Sequence, residues 1–262
     1  MDADDIDKAA SALLDAYASR VPVAPLSATY PGLSVDDAYA VQRAQVVSRT
    51  AAGAVVKGHK VGLTSAAMQA QLGVDQPDFG VLLDSMFLPE GMTAQVSRFL
   101  QPRAEPEIAF VLGRRLAGPG VTVAEALAAV DFVLPALEII DSRIADWNIT
   151  LPDTVADNAS SGAVVLGSRP VKPTDLDLSL TGCLLYRGGV IAGTGAGGAV
   201  LGSPVNALVW LANTLGGRGV ALESGHVILP GSVCAAVPFG PGDTVAAAFD
   251  RIGTVSVTFS VE

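Results

Sequence analysis

The sequence predicts an α+β fold, with helices gathered at the N-terminus and a longer strand-rich region after them. Three observations carry this. The first 50 or so residues hold two segments whose apolar positions recur at helical spacing between capping and stop signals. From Ala54 onward the pattern changes to period-two alternation and short apolar runs punctuated by Gly and Pro. The chain of 262 residues is 50% hydrophobic and only 16% charged, enough to bury a full core as one large domain, or as a small domain plus a larger one. No repeat of solenoid or propeller length interrupts this plan.

Taken in order, residues 4–19 read as a helix with Ala9, Leu13, Ala16 and Tyr17 on one face, and Pro22 and Pro25 end it. Ser34 caps a second helix, with Asp37 completing a capping box and Val35, Ala38, Tyr39, Gln42 and Val46 at helical spacing. These two form an N-terminal helical part, residues 1–55, expected to pack on residues 56–262. Residues 55–63 read as a strand entering the core, and Thr64 or Ser65 caps a short helix ending at Gly73. Residues 73–80 are a Gly- and Pro-punctuated loop presenting Asp75 and Asp78. Strands follow at 105–112 and 132–140, separated by a helix at 121–130 that starts from a Thr122/Glu125 capping box. A polar cluster, 153–162, precedes a strand at 163–166; it suits either a turn or hydrogen bonding to a ligand carboxylate. Ser203 and Pro204 open a helix to Leu215, stopped by Gly216 and Gly217. Short strands at 226–229, 244–249 and 255–259 complete the chain.

Within this frame Glu105, Glu107 and Glu138 are the unusual residues, because they lie inside runs apolar enough to be buried. Burying a carboxylate without a partner costs several kcal/mol or forces it to take up a proton. Side chains two apart share a strand face, so Glu105 and Glu107 point the same way, with Ala109 and Val111 continuing that face and Ile108, Phe110 and Leu112 on the other. If the strands carrying Glu105/Glu107 and Glu138 are neighbours, all three carboxylates converge. An all-oxygen site suits a hard divalent ion such as Mg²⁺ or Mn²⁺ rather than zinc. The alternative is structural: Glu105 and Glu107 on the wet face of an edge strand, and Glu138 paired with Arg143 or Arg103.

Composition narrows the partners. The formal charge of −10, with no basic run, argues against nucleic acid. A small anionic substrate then needs a local positive centre, which a divalent cation supplies. Cys183 and Cys234 have neither metal-ligand spacing nor a disulfide framework and read as packed thiols. The acidic start, MDADDIDKAA, is unlike a signal peptide, and no apolar run has membrane-spanning length; the cytoplasm is the expected location. No G-x-G-x-x-G follows a strand expected from the pattern, Walker A and G-x-S-x-G signatures are missing, and two histidines leave little room for a histidine-based triad. Lys60, between His59 and Val61 in an apolar strand, either snorkels to the surface or, held near a carboxylate, moves a proton.

Five strings, KVGLT (60–64), GVDQPDFG (73–80), LQPRAEPEIAFVL (100–112), LPALEIIDSRIADW (134–147) and DTVADNASSG (153–162), resemble the 2-hydroxypenta-2,4-dienoate hydratases. These belong to the hydratase and decarboxylase branch of the fumarylacetoacetate hydrolase superfamily. The resemblance covers nearly the whole chain and is weaker before residue 30 and around 168–200. It implies a mixed, highly coiled β-roll with a helical N-terminal part, and assembly into homo-oligomers, with association with a pathway enzyme a further expectation. It implies that Glu105, Glu107 and Glu138 hold Mg²⁺ or Mn²⁺ and that Lys60 and Asp78 are the acid-base pair. Asn158, Ser160, Val61 and Leu63 are implied to bind substrate.

The activity the resemblance implies is hydration of 2-hydroxypenta-2,4-dienoate, or a close 2-hydroxydienoate, to a 4-hydroxy-2-oxo acid in meta-cleavage aromatic catabolism. The alternatives are a 4-oxalocrotonate-type decarboxylase and a non-catalytic partner subunit. The superfamily's carbon–carbon hydrolases use a histidine and glutamate pair in an N-terminal lid, and no histidine precedes His59 here. Two departures stand out: Leu201-Gly202-Ser203-Pro204 where the family has Leu-Gly-His-Pro, and Pro230-Gly231 where it has Thr-Gly.

Overall fold

The computed structural model describes the backbone of residues 1–262 and every side chain except those of Met68, Gln71 and Leu72. Helix α1, Ala3–Ser19, is capped by Asp2, whose side chain accepts from the Asp5 amide. It stops at Arg20 in the left-handed region, ahead of the prolines, so Pro22 follows the helix end rather than causing it. A single-turn helix that the sequence pattern did not mark, α2 (Leu26–Thr29), precedes α3 (Val35–Ala51), which begins at the expected Ser34/Asp37 capping box. The buried side of α3 includes Gln42 and Gln45. Their amides donate to carbonyls of Phe79, Val155 and Ala156, which is what makes two glutamines tolerable in an otherwise apolar contact.

The chain continues through β1 (Val56–Gly62), α4 (Ala66–Leu72), β2 (Asp78–Leu83), β3 (Phe87–Leu88), β4 (Thr93–Ala94), β5 (Arg103–Leu112), α5 (Val123–Ala129) and β6 (Val130–Ile140). After these come α6 (Leu151–Ala156), β7 (Ser161–Leu166), β8 (Gly182–Arg187), β9 (Val190–Ala196) and α7 (Pro204–Gly216). The last strands are β10 (Val227–Leu229), β11 (Val237–Pro238), β12 (Thr244–Phe249) and β13 (Gly253–Phe259). One sheet runs β2-β1-β10-β5-β6-β7-β3, with β11 also on β5; the other runs β4-β13-β12-β8-β9. Both are mixed, since β1 and β10, β3 and β7, and β4 and β13 pair in parallel while the remaining pairs are antiparallel.

The larger sheet is rolled. A flat sheet would hold β1 and β6, three spacings apart, roughly 14 Å from one another. Instead Lys60 of β1 lies 3.5 Å from Glu138 of β6, across β10 and β5. Outside the roll, Ile108, Phe110, Leu137 and Ile139 join Leu208 and Leu211 of α7 and Val245 and Val257 of the second sheet in the main core. Burying a side chain such as Phe110 contributes about 2–3 kcal/mol. Ala109, Leu134 and Ala136 continue the carboxylate face, packing with Val81, Leu83 and Val164. A third cluster joins Ala9 and Leu13 of α1, Ala38 and Val41 of α3, and Val155 and Ala156 of α6, so the N-terminal helices rest on the segment following β6.

Two expectations about local structure change. Residues 73–80 are not all loop, because Asp78 pairs with Gly62 and opens β2 against β1. The polar cluster at 153–162 is largely helical: α6 begins at a Thr150/Asp153 capping box with Pro152 in its first turn. Asp153 and Thr154 therefore serve a helix start and its packing rather than an open turn. The β8–β9 hairpin turns through Gly188 and Gly189, both at positive φ.

Candidate active site

The site begins with a register. β5 and β6 pair antiparallel with Glu105 opposite Glu138 and Glu107 opposite Ala136, so the three glutamates share one face of two adjacent strands. One oxygen from each lies within 4.8 Å of the others. Glu107 and Glu138 are fully buried and Glu105 is partly so. The structural alternative does not hold. β5 is flanked by β6 on one side and β10 and β11 on the other, Arg143 is bound to Asp157, and Arg103 lies over the Trp147 ring.

Three like charges in one buried cluster are costly, and the titration of the group reflects it. Burial pushes Glu105 up to about 7, with Lys60 opposing and Glu138 adding to the shift. Burial, then Glu138 and Glu105, raise Glu107 well above the carboxylate range, and burial also raises Glu138 and Asp78 against the pull of Lys60. Among the described residues, the buried side-chain atoms without a hydrogen-bond partner are Asp78 Oδ1, Glu107 Oε1, Glu138 Oε2 and His59 Nδ1, and the first three lie in this site. The 3.5 Å approach of Lys60 Nζ to Glu138 Oε2 is an ion pair without hydrogen-bond geometry. Unpartnered carboxylate oxygens facing one another are the donor set a hard divalent cation takes, so the residues fit such an ion.

Two of the three glutamates are aimed by a backbone or hydroxyl group. The Gly231 amide donates to Glu107 Oε2 at 2.6 Å, and Ser161 Oγ donates to Glu138 Oε1 at 3.3 Å. Neither residue was singled out as a ligand-aiming group from sequence, although Ser161 lies in the DTVADNASSG string and Gly231 in one of the two departures. Behind them, the buried Arg143 guanidinium donates to Asp157 Oδ1 at 2.6 Å and to the Ser161 carbonyl at 3.1 Å, with the Tyr17 ring stacked on it.

Lys60 and Asp78 face the glutamates. Burial lowers the lysine's proton affinity, but Glu138, Asp78, Glu105 and Glu107 together reverse this and keep it an ammonium. Its Nζ donates to the Ala159 carbonyl at 2.9 Å. Gly62 leaves room for this pair: a Cβ there would overlap Asp78 Oδ1 and approach Lys60 Nζ. Asn158 and Ser160 are buried in the turn that supplies the Ala159 carbonyl; Ser160 Oγ shares a hydrogen bond with Thr154 Oγ1, and the Asn158 amide bonds to Val81. The Val61 side chain belongs to the main core with Phe79, on the opposite strand face from Lys60, and the Leu63 side chain packs on the N-terminal helical cluster. A cavity of about 820 Å³ lies behind β1 and β2, lined by Tyr39, Arg43, His59, Phe79, Arg218 and His226 among others, and none of the three glutamates lines it.

Comparison with known proteins identifies the fold and the family. The family model "Fumarylacetoacetate (FAA) hydrolase C-terminal" matches residues 50–260. The chain is 50% identical over 253 residues to the 2-keto-4-pentenoate hydratase of Paraburkholderia xenovorans (strain LB400), covering 97% of this chain and 94% of that one. It is 44% identical to the 2-oxo-hept-4-ene-1,7-dioate hydratase of Escherichia coli, covering 95% of this chain and 96% of that one. Among solved structures, the 4-oxalocrotonate decarboxylase from Pseudomonas putida G7, complexed with magnesium and adipate, superimposes with a TM-score of 0.96 at 34% identity, covering 99% of this chain and 98% of that chain. With the family model spanning most of its length and relatives this similar end to end, the chain belongs to the fumarylacetoacetate (FAA) hydrolase C-terminal family.

Proposed function

We propose that the protein is a metal-dependent hydro-lyase that adds water to 2-hydroxypenta-2,4-dienoate, or a close 2-hydroxydienoate, giving a 4-hydroxy-2-oxo acid in the meta-cleavage breakdown of aromatic compounds. The observation that carries this is the convergence of Glu105, Glu107 and Glu138 opposite Lys60 and Asp78 in one buried site, supported by 50% identity to a hydratase along nearly the whole chain.

Glu105, Glu107 and Glu138 would hold Mg²⁺ or Mn²⁺. When bound, such an ion supplies Lewis-acid stabilisation for the carboxylate and 2-oxygen of a 2-oxo acid. Lys60 and Asp78 move protons. The substrate loses the proton of its 2-hydroxyl and gains one at C5, giving a 2-oxo-3-enoate; water then delivers hydroxide to C4 and a proton to C3. One water is consumed and no electrons change hands. In this reading the Lys60 ammonium stabilises negative charge developing on the enolate and Asp78 accepts or returns a proton, a role supported by its unpartnered Oδ1. Asn158 and Ser160 shape the wall beside Lys60, while Val61 and Leu63 contribute backbone to the substrate side. Assembly into a homo-oligomer belongs to the same proposal and is supported by the apolar Val190 and Ile191 exposed on edge strand β9.

The second reading, a 2-oxo-enedioate decarboxylase, is favoured by the TM-score of 0.96 with a decarboxylase. One assay separates them. Purified protein with Mg²⁺ is offered a panel of 2-hydroxydienoates and 4-oxalocrotonate, and both dienol absorbance and CO₂ are followed. Dienol loss without CO₂ supports the hydratase; CO₂ release from the enedioate supports the decarboxylase; neither result with any substrate overturns both.

A further inference from the structure

We infer that Asn158 is a positioning residue, which clamps a strained left-handed turn to β2 so that the Ala159 carbonyl fixes the Lys60 ammonium in the site. The inference rests on the reading of Lys60 as a proton-carrying group, and deepens it.

Three consecutive residues without the freedom of glycine, Asn158, Ala159 and Ser160, all sit at positive φ, at 54°, 51° and 54°. Each is disfavoured for a side-chain-bearing residue, and a run of three persists only where the surroundings enforce it. The enforcement is visible on both sides. On one, Asn158 spans the free edge of β2: its Oδ1 accepts from the Val81 amide at 2.8 Å and its Nδ2 donates to the Val81 carbonyl at 2.9 Å, as a neighbouring strand would. On the other, the Ser160 amide donates to Asp157, the Ser160 carbonyl accepts from Asp141, and Arg143 holds Asp157 through backbone and side chain.

The approach is close enough to dictate sequence. A Cβ on Gly80 would overlap the Asn158 carbonyl, so the glycine that ends GVDQPDFG admits the turn to the strand. What this closeness delivers is the Ala159 carbonyl, 2.9 Å from Lys60 Nζ. Without it the ammonium would be held only by its longer, 3.5 Å contact with Glu138. A side-chain amide bonded to both polar groups of one backbone residue, on a residue only 6% exposed, is arranged as a brace rather than as a reader of substrate.

Asn158→Ala and Asn158→Gly test this, the second because glycine holds positive φ without strain and keeps the turn foldable if the first does not fold. With 2-hydroxypenta-2,4-dienoate and Mg²⁺, kcat is expected to fall about 100-fold in Asn158→Ala, the loss that a displacement near 1 Å produces. KM and the calorimetric Kd for Mg²⁺ are expected to stay within about threefold, and Asn158→Gly to regain part of kcat. Crystals of either variant are expected to show Lys60 Nζ moved away from the Ala159 carbonyl. A raised KM with kcat preserved, or a lysine unmoved in the crystals, overturns the inference. Failure of the underlying reading looks different, with wild-type protein inactive or Lys60→Met fully active, while the crystallographic position of Lys60 in the variants still decides the brace.

Discussion

The backbone amide of Gly231 donates to Glu107 Oε2 at 2.6 Å, and so divides that carboxylate's work between its two oxygens. Oε2 is committed to the protein, while Oε1 is buried and has no partner. The arrangement needs glycine: φ at residue 231 is +123°, and a Cβ would overlap the Thr64 hydroxyl. Pro230-Gly231, one of the two departures from the family pattern, therefore keeps the feature that matters to Glu107, an N–H at a position where only glycine fits.

Gly231→Ala should weaken Mg²⁺ binding by about 10- to 100-fold, the usual effect of losing a group that orients a ligand. Calorimetry on the folded variant checks it, with circular dichroism to confirm the fold. Unchanged affinity would mean that Glu107 is aimed without this amide.

Arg143 is fully buried and binds Asp157 through three donors, its backbone amide, Nε and Nη2. Replacing it with Met strands a buried carboxylate, and the expected loss of stability is about 3–5 kcal/mol in urea unfolding. Arg143→Met with Asp157→Asn should lose less than Arg143→Met alone, because the stranded charge is gone. Equal losses in the single and double variants would show that packing against Tyr17, rather than the ion pair, carries the effect.

His59 is buried between β2 and β10 on the sheet, beside His226, and burial holds its pKa down to about 3. The unfolded chain takes up a proton near pH 6.5 that the folded chain refuses, so the stability linked to this residue is whole above pH 6.5 and is lost as pH falls toward 3. The limiting slope is about 1.4 kcal/mol per pH unit. Urea unfolding of wild type and His59→Gln from pH 7 to pH 4 should show a shallower decline in the variant. Parallel curves would show that His59 titrates in the fold as it does in the unfolded chain.

Much of the fold was legible because the signals were local. The Ser34/Asp37 and Thr122/Glu125 boxes mark their helices, and alternation along β5 separates the Glu105/Glu107 face from the Ile108/Phe110 face as observed. What was not legible depends on contacts distant in sequence. Asp78 reads as loop because its strand character comes from pairing with Gly62, and α6 hides among residues that also suit turns. The β8–β9 hairpin could have been found from Gly188-Gly189 between two apolar runs, a two-residue turn signal. At the site, spacing placed Glu105 and Glu107 together, but only the register brings Glu138 opposite Glu105, and only the roll of the sheet brings Lys60 to them. The brace at Asn158 and the amide at Gly231 act through backbone groups, which no side-chain pattern announces.

The most direct test is titration calorimetry of Mg²⁺ into metal-free wild type, Glu107→Gln and Glu138→Gln, with thermal unfolding of each in chelator. Saturable binding near one ion per chain is expected for wild type, and none for either variant. In chelator Glu107→Gln should melt above wild type, because it removes a buried carboxyl crowded by Glu138 and Glu105. Wild-type affinity in Glu107→Gln and Glu138→Gln, or no binding by wild type itself, would contradict a three-carboxylate cation site and the chemistry built on it.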